Sequence, residues 1–418
     1  MPEPNSSPSI KNCHLAAWIL ALLYILLLAL PLQRGSLLAC DLAVPFMAIA
    51  LAFSWSLSRR ISLPRTPLLF IYVAWSILCL HGFTRSDLYE WAVFAYMAVL
   101  FTFFSQLNPT PKGFAVAGTT ILACALGLFF ASMLMPPLQK LLFFTSTQMD
   151  STAMSFLSRR YAFGMSNPNL FALYYPISFA LLTPLVHKTE WCKISLGKRL
   201  FIPIGMLIVL LPIASSASKH GLLTLAILLS WLIPIFQLPR KIALPISLAC
   251  ILASAAIFEI TVLFVTFPTS GRFPFINTDC GMYRLHQSTY TRMITDAPGS
   301  LIRGLGIHRI HLSYPQYADP ATVKSTLEQY NAMASYDNFI SFMDPHNEYL
   351  NQLSIFGLPA LLLILAFWLL LPRISPYPDT AICFVIAVLC CCLWDDLLSK
   401  RAVWTTAALL IITPRPQK

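Results

Sequence analysis

Long apolar runs dominate this chain, and short polar stretches separate them. A helix that crosses a membrane needs roughly 20 predominantly apolar residues, and runs near this length recur along most of the sequence. In lipid, a helix satisfies its own backbone hydrogen bonds. The pattern therefore predicts an all-α polytopic integral membrane protein. We place its twelve predicted spans at approximately 15–32, 36–56, 66–81, 88–106, 114–135, 168–186, 200–216, 220–237, 242–266, 351–371, 379–394 and 402–414.

Composition and charge agree with this class and indicate an orientation. Of the 418 residues, 57% are hydrophobic and 11% are charged, and the formal net charge is +11. If the N-terminus is cytoplasmic, the short cytoplasmic segments hold half of the 28 Lys and Arg residues, whereas the short outer connections near 33–35 and 82–87 hold only Arg34 and Arg85. Cytoplasmic loops are enriched in Lys and Arg. Both termini are therefore predicted to be cytoplasmic, and the charge forms no basic domain for nucleic acid.

Three parts organise the predicted protein. Residues 1–266 contain spans one to nine, residues 267–350 form a long outer loop, and residues 351–418 contain spans ten to twelve. A loop of this length is too long to be a passive connector. It is expected to be partly helical, with one helix over 284–296 lying along the membrane surface, another over 321–336, and a turn at Gly304-Leu305-Gly306 between them.

Basic residues also gather at the predicted outer ends of helices. They are Arg159, Arg160, Lys219, Lys400 and Arg401, and Arg284 joins them from the outer loop. Cations kept at the membrane edge favour an anionic partner. Contact with lipid phosphates and pairing with nearby acids is the alternative explanation.

The segment Asp344-Pro345-His346-Asn347-Glu348-Tyr349-Leu350 stands where the outer loop meets span ten. Asp344 is expected to cap the helix, and Pro345 to occupy its first position. His346 would then lie in the first turn, where the helix dipole favours a neutral imidazole. A neutral histidine can accept a proton at pH 7.

A histidine base beside several cations suits group transfer from a lipid pyrophosphate. Arginine binds phosphate oxygens with two parallel hydrogen bonds, and a base can activate an acceptor hydroxyl. The outer loops contain no Asp-x-Asp pair, and adjacent Asp395 and Asp396 would point apart on a helix. We therefore predict metal-independent chemistry without a cofactor.

The same residues carry a resemblance to a known family. Asp344–Leu350, followed by Gly357-Leu358, resembles the His-Asn motif of the O-antigen ligase family. Further similarities follow in the family's order: Arg160–Gly164 with Asn167-Pro168-Asn169, Ser218-Lys219-His220-Gly221, Gly281-Met282-Tyr283-Arg284, Leu305-Gly306, and the spacing from Asp395 to Arg401. They cover roughly residues 155–402. The family usually has Arg where Lys219 stands, and Lys lacks the bidentate fork.

The resemblance implies a GT-C-like architecture and a glycosyltransferase in the Gram-negative inner membrane. It implies transfer of polysaccharide from undecaprenyl pyrophosphate to a sugar of lipid A–core on the periplasmic face, with inversion. His346 is the implied base, Arg284 and Lys219 are the pyrophosphate contacts, and Arg160 is a third anion contact. Arg159 and His220 would support these contacts.

Two further positions complete the implied site. Asn347 would hold the acceptor or orient His346, and Asp395 with Arg401 would form a structural pair below the site. Three other functions stay open. An O-antigen polymerase shares the arginine-rich loop, a protein O-oligosaccharyltransferase would use a serine acceptor, and a lipid or polysaccharide transporter would need two inverted halves, of which the sequence gives no sign.

Overall fold

We describe the protein from a computed structural model. The structure describes residues 8–29, 33–34, 37–58, 67–80, 84–107, 110–145, 159–163, 165, 168–216, 218–264, 280–297, 299–321, 323 and 345–412. Helices account for most of these residues, as the apolar pattern predicts. The predicted cap at Asp344, the motif residues Gly164 and Asn167, and nearly all of the predicted helix 321–336 lie outside the described residues.

The described residues form a succession of helices, several of which are joined by connections of a few residues. In chain order they are α1 (Pro8–Ala29), α2 (Val44–Ser58), α3 (Leu68–Leu78), α4 (Arg85–Ser105), α5 (Pro111–Leu134), α6 (Pro136–Leu142), α7 (Pro168–Tyr174), α8 (Pro176–Lys188), α9 (Leu196–Ser216), α10 (Gly221–Phe236), α11 (Arg240–Phe264), α12 (Cys280–Asp296), α13 (Ser300–Arg303), α14 (Ile307–Tyr317), α15 (Glu348–Ile374), α16 (Pro378–Cys391) and α17 (Arg401–Leu410). Short 3-10 turns lie at Ala39–Ala43, Trp191–Lys193 and Leu397–Ser399.

The strands among the described residues form two small antiparallel ladders. Strands β1 (Gln33–Arg34) and β2 (Leu37–Leu38) form the first ladder. Strands β3 (Phe143–Thr145) and β4 (Arg159–Tyr161) form the second, in which Phe144 pairs with Arg160. Neither ladder changes the helical class.

Within the described residues, six helical segments are long and apolar enough to cross a membrane. They are Asp87–Ser105, Pro111–Leu134, Asn169–Lys188, Leu196–Ser216, Arg240–Ile257 and Glu348–Ile374. Five shorter apolar helices lie at Leu15–Ala29, Cys40–Ala52, Leu68–Leu78, Gly221–Phe236 and Pro378–Cys391. These eleven segments and α17 overlap the twelve predicted spans, but a count of twelve crossings stays a prediction because only six segments have the required length.

Aromatic rings join α15 and α17 to α4. The Phe367 ring on α15 stacks on Trp404 of α17 with their centroids 5.5 Å apart, and Phe101 of α4 lies 5.1 Å from Phe367. Trp368 approaches Trp404 at 5.3 Å, and both tryptophans are fully buried. Large aromatic side chains bury much apolar area and prefer such tilted contacts. This cluster holds α15 and α17 in fixed positions below the segments that carry the polar residues.

Helix α15 is not continuous, in contrast to the predicted span 351–371. Gly357 has φ 81° and ψ 177°, which interrupts the helix. The released Ser354 and Ile355 carbonyls accept hydrogen bonds from the backbone N–H groups of Leu305 and Gly306, at 2.6 Å and 3.3 Å. A Cβ at Gly357 would clash with the Ile302 carbonyl. Glycine therefore permits both the positive φ and the close approach of the outer loop.

The connection between α13 and α14 has the predicted turn. Gly304 and Gly306 both have positive φ, at 69° and 71°. A side chain at Gly304 would clash with the backbone at Ile355. The glycine turn is thus confirmed, and it packs directly on the break in α15.

Helix α12 confirms the predicted helix over 284–296, and its position along a membrane surface stays a prediction. One face is buried, and its residues are Leu285, His286, Thr289, Tyr290, Met293 and Ile294. The helix packs against α13, α14 and α15. Because the buried face mixes polar and apolar residues, it is not visible as an apolar stripe in the sequence.

Candidate functional site

Three connections meet at one end of the helical bundle. They are the turn before α10, the segment before α15, and the loop between α16 and α17. Their contacts converge on Asp395, whose carboxylate lies between two imidazoles. Oδ2 of Asp395 is 2.8 Å from Nε2 of His220, and Oδ1 is 3.9 Å from Nδ1 of His346. The second distance is too long for a direct hydrogen bond, and it allows a charge interaction once His346 is protonated.

His220 is fully buried at the start of α10 and belongs to a polar chain. Its Nδ1 lies 3.2 Å from the Ser218 hydroxyl, which donates to Oδ1 of Asn169 at 2.8 Å. Hydrogen-bonded chains in a protein interior hold their members in defined orientations. His220 therefore orients one oxygen of Asp395. Its predicted support of the anion contacts stays a prediction.

His346 precedes α15 and has an unusual backbone conformation. Its φ is 44°, in the left-handed region that non-glycine residues seldom adopt. The helix begins at Glu348, and Asn347 is the N-cap, with Oδ1 accepting from the N–H of Leu350 at 3.1 Å. The prediction that Pro345 opens the helix and that His346 lies in its first turn is thus wrong, since a left-handed residue cannot continue a right-handed helix.

The left-handed turn brings the His346 side chain towards Asp395 and leaves it 30% exposed. Partial exposure is what a group that exchanges a proton with a substrate requires. Strained backbone conformations cluster at functional positions. His346 is the exposed member of the two-imidazole arrangement, and His220 is its buried member.

Asn347 fixes the loop that carries Asp395 rather than facing open space. Its Nδ2 donates to the Leu393 carbonyl at 3.2 Å, while its oxygen caps α15. Next to it, Tyr349 donates its hydroxyl proton to the Leu389 carbonyl at 2.6 Å. These bonds connect the start of α15 to the end of α16. The two predicted roles of Asn347, to hold the acceptor or to orient His346, stay predictions.

Lys219 reaches the same loop from the other side. Its Nζ donates to the Trp394 carbonyl at 2.6 Å and lies 5.7 Å from the centre of the Trp394 indole. A cation above an indole face is attracted by the ring's electron density. The ammonium of Lys219 is therefore held next to the residue that precedes Asp395, which adds a positive charge to the site.

The long segment between α11 and α15 contributes through α12. The side-chain amide of Gln287 donates to the Pro345 carbonyl at 3.1 Å, immediately before His346. Arg284 lies one turn earlier on this helix, and residues three apart share a helix face. The side chain of Arg284 is outside the described part of the structure, as are the side chains of Arg159 and Arg160 on β4. Their phosphate contacts stay predictions.

The predicted pairing of Asp395 with Arg401 is wrong. The Arg401 guanidinium makes two bonds of 2.7 Å to the carboxylate of Asp41, one from Nε and one from an Nη. Asp41 also accepts from the Tyr96 hydroxyl at 3.0 Å. A bidentate carboxylate is the preferred partner of a guanidinium, and the fold supplies one from the connection before α2. Arg401 therefore ties α17 to the first helices and lies beside the site.

Two charge states follow from these surroundings. Burial by itself would raise the pKa of Asp395, but His220, a side-chain hydrogen bond with Asp396 and the Lys400 ammonium together hold that pKa well below its usual range. The Asp395 carboxylate is thus ionised at neutral pH. Burial and the nearby His346 lower the pKa of His286 on α12 to about 4, and its Nδ1 bonds to the Tyr314 hydroxyl. His286 is therefore neutral at pH 7.

The described residues include no group of three or more His, Cys, Asp or Glu side chains that could hold a metal ion. Metal independence and the absence of a cofactor remain predictions.

In the part of the chain that the structure describes, the protein is helical apart from two short ladders. Six of the described segments are able to cross a membrane, and a His–Asp–His cluster lies at one bundle end. Comparisons of the sequence with protein-family models and with curated proteins find no match. The family resemblance therefore rests on the motif residues themselves.

Proposed function

We propose that this protein is a membrane glycosyltransferase of the O-antigen ligase type. It transfers polysaccharide from undecaprenyl pyrophosphate to a sugar of lipid A–core on the periplasmic face of a Gram-negative inner membrane. One observation carries the proposal: the Asp395 carboxylate lies 3.9 Å from the partly exposed His346, with Lys219 bound to the preceding residue. A base, the carboxylate that orients it and a cation are thus assembled from three distant segments.

In the proposed reaction, the acceptor hydroxyl oxygen attacks the anomeric carbon of the donor sugar. The bond between that carbon and the pyrophosphate oxygen breaks, and the configuration inverts. The proton of the acceptor hydroxyl passes to the imidazole of His346, and undecaprenyl pyrophosphate leaves with the bonding electron pair. An ionised Asp395 stabilises the imidazolium that forms, because an opposite charge nearby favours the protonated histidine.

The leaving pyrophosphate gains negative charge during this step. Cations placed where that charge develops lower the barrier. Lys219 is one such cation, and Arg284 is assigned the same role because its helix is bonded to the segment before His346 through Gln287. Arg160 is the third proposed anion contact, and no metal is required for the step.

The proposed topology has twelve spans with both termini in the cytoplasm. Its support is the overlap of twelve apolar helical segments with the predicted spans and the meeting of the connections at 218–220, 345–347 and 392–400. In a twelve-span layout all three connections lie on the outer side, so His346 and Asp395 face the periplasm.

The test is a gel of lipopolysaccharide from a deletion strain, with the lipid-linked polymer extracted from the same cells. Bare core together with accumulated long lipid-linked polymer supports the ligase. Core carrying a single repeat unit indicates a polymerase instead. An unchanged ladder contradicts both and favours transfer to protein. Product formed by purified protein in detergent, without a gradient, contradicts a transporter.

A further inference from the structure

Glu348 is a buried carboxylate beside the site that the proposed reaction does not use. It opens α15 two residues after His346 and is 1% exposed. A carboxylate is rarely buried without partners, because leaving water is costly for a charge. The partners of Glu348 show what its position achieves.

Glu348 contacts both ends of the loop that carries Asp395. Its backbone N–H donates to the Cys392 carbonyl at 2.8 Å, and its Oε2 accepts from the backbone N–H of Leu398 at 3.0 Å. Cys392 and Leu398 each lie three residues from Asp395. The loop is therefore held at its start and at its end by one residue.

The second carboxylate oxygen of Glu348 is fixed from the opposite side. Oε1 accepts from Nε2 of Gln352 at 2.7 Å, and Oε1 of Gln352 accepts from the Tyr72 hydroxyl on α3 at 2.7 Å. Gln352 is fully buried, as is Tyr72. This chain aims Oε2 of Glu348 at Leu398 and leaves the carboxylate little rotational freedom.

We propose that Glu348 is the positioning residue of this site: it holds the 392–398 loop so that Asp395 lies between His346 and His220. The inference rests on the proposed function, since it assigns Glu348 to the orientation of that function's base. Glu348 contacts none of the reacting atoms in this assignment. Its effect passes through Asp395 alone.

A glutamine at this position can preserve the geometry. In Glu348→Gln, the introduced amide oxygen would accept from the backbone N–H of Leu398. The introduced amide nitrogen would donate to the side-chain oxygen of Gln352 if the Gln352 amide is rotated. The Gln352 amide nitrogen would then donate to the Tyr72 hydroxyl. An alanine can make none of these bonds. The two variants therefore separate the positioning role from a requirement for negative charge.

The first experiment measures donor-to-acceptor transfer by purified Glu348→Ala, Glu348→Gln and Ser354→Ala. Ser354 is the matched control, because it is a buried polar residue on the same helix whose hydroxyl bonds within that helix, to the Leu350 carbonyl. We expect Glu348→Ala to lower kcat by about 100-fold with KM unchanged, as for a misplaced catalytic group. Glu348→Gln should stay within about 5-fold of wild type, since it keeps an acceptor for Leu398. Equal losses in both Glu348 variants would overturn the proposal.

The second experiment tests whether the effect passes through Asp395. In an Asp395→Asn background, Glu348→Ala should cause no further loss of kcat, because residues that act through one another are not additive. An additional loss as large as in the wild-type background would mean a general structural role and would overturn the proposal.

The third experiment does not depend on activity. Amide hydrogen exchange in peptides covering 392–399 should be faster in Glu348→Ala than in wild type and unchanged in Ser354→Ala. Unchanged exchange in Glu348→Ala would overturn the positioning role. If wild-type protein shows no transfer, the proposed function fails, and exchange alone decides whether Glu348 holds the loop.

Discussion

Oδ1 of Asp395 lies 3.9 Å from Nδ1 of His346, although the α15–α16 hairpin separates the two residues in the sequence. His346 precedes α15, and Asp395 follows α16. Antiparallel packing of these helices returns the chain to the same end of the bundle. The pair is therefore a consequence of topology, and it can be tested by removing either member.

Removing the base should remove activity without removing the protein. We expect His346→Ala to lower kcat by about 10² to 10⁴-fold, the usual range for general-base catalysis. His308→Ala is the control, because His308 is an exposed histidine on α14 whose backbone N–H bonds to Asp87. Transfer rates and membrane levels should be compared for both variants. Wild-type transfer by His346→Ala would contradict the base assignment.

The role of the Asp395 carboxylate can be tested by substitution, with the adjacent Asp396 as the control. Asp396→Asn should lower kcat only slightly. Asp396 bonds to Lys400 at 2.8 Å and to Ser399 at 2.9 Å, and not to either imidazole. Asp395→Asn should lower kcat by about 10²-fold, since the base loses its orienting charge. Steady-state kinetics of the two variants check this. Similar kcat values in both would exclude a specific role for Asp395.

Lys219 should act through its charge. Lys219→Gln is expected to lower kcat by about 10²-fold, the cost of removing one group that stabilises developing charge. Lys219→Arg should stay within about 10-fold of wild type, because the charge is kept and a bidentate fork is gained. Kinetics against donor concentration would show the difference. A folded but inactive Lys219→Arg would contradict a phosphate contact.

Asp41 and Arg401 form a mostly buried ion pair, with side chains 11% and 22% exposed. Removing one partner leaves a buried charge alone, which costs about 3–5 kcal/mol. We expect Arg401→Ala and Asp41→Ala each to lower the Tm strongly. The double variant should lose less unfolding free energy than the sum of the two single losses. Arg240→Ala is the control, because its exposed pair with Asp379 is worth less than about 1 kcal/mol. Additive losses would mean that the pair does not couple.

Acid should destabilise the packing of α12 through His286. Its pKa of about 4 lies below the ordinary histidine value of 6.5, so the unfolded chain binds a proton more readily. The stabilising contribution is complete above pH 6.5 and is lost as the pH falls towards 4, by about 3 kcal/mol at most. Thermal unfolding between pH 7 and pH 4.5 should show a steeper fall of Tm for wild type than for His286→Gln. Parallel curves would argue against a neutral buried imidazole.

Local features of the site could be predicted from the sequence. The apolar runs predict the helices, and the Gly304–Gly306 turn and the helix over 284–296 are confirmed. The order of the predicted spans also places His346, Lys219 and Asp395 in connections at the same end of the helices. The ion-pair partner of Arg401 could not be predicted in this way, because the spacing from Asp395 to Arg401 suggested that pair and only the fold brought the Asp41 carboxylate to Arg401.

By itself, the sequence determined the helical class and the positions of the apolar helices, since helix formation in lipid depends on the length and polarity of each local run. The tertiary structure decided the rest. It placed His220 rather than Arg401 against Asp395, began α15 after a left-handed His346, broke that helix at Gly357, and buried Glu348 below the loop. These features depend on backbone groups and side chains brought together from distant segments, and no local pattern in the sequence records such contacts.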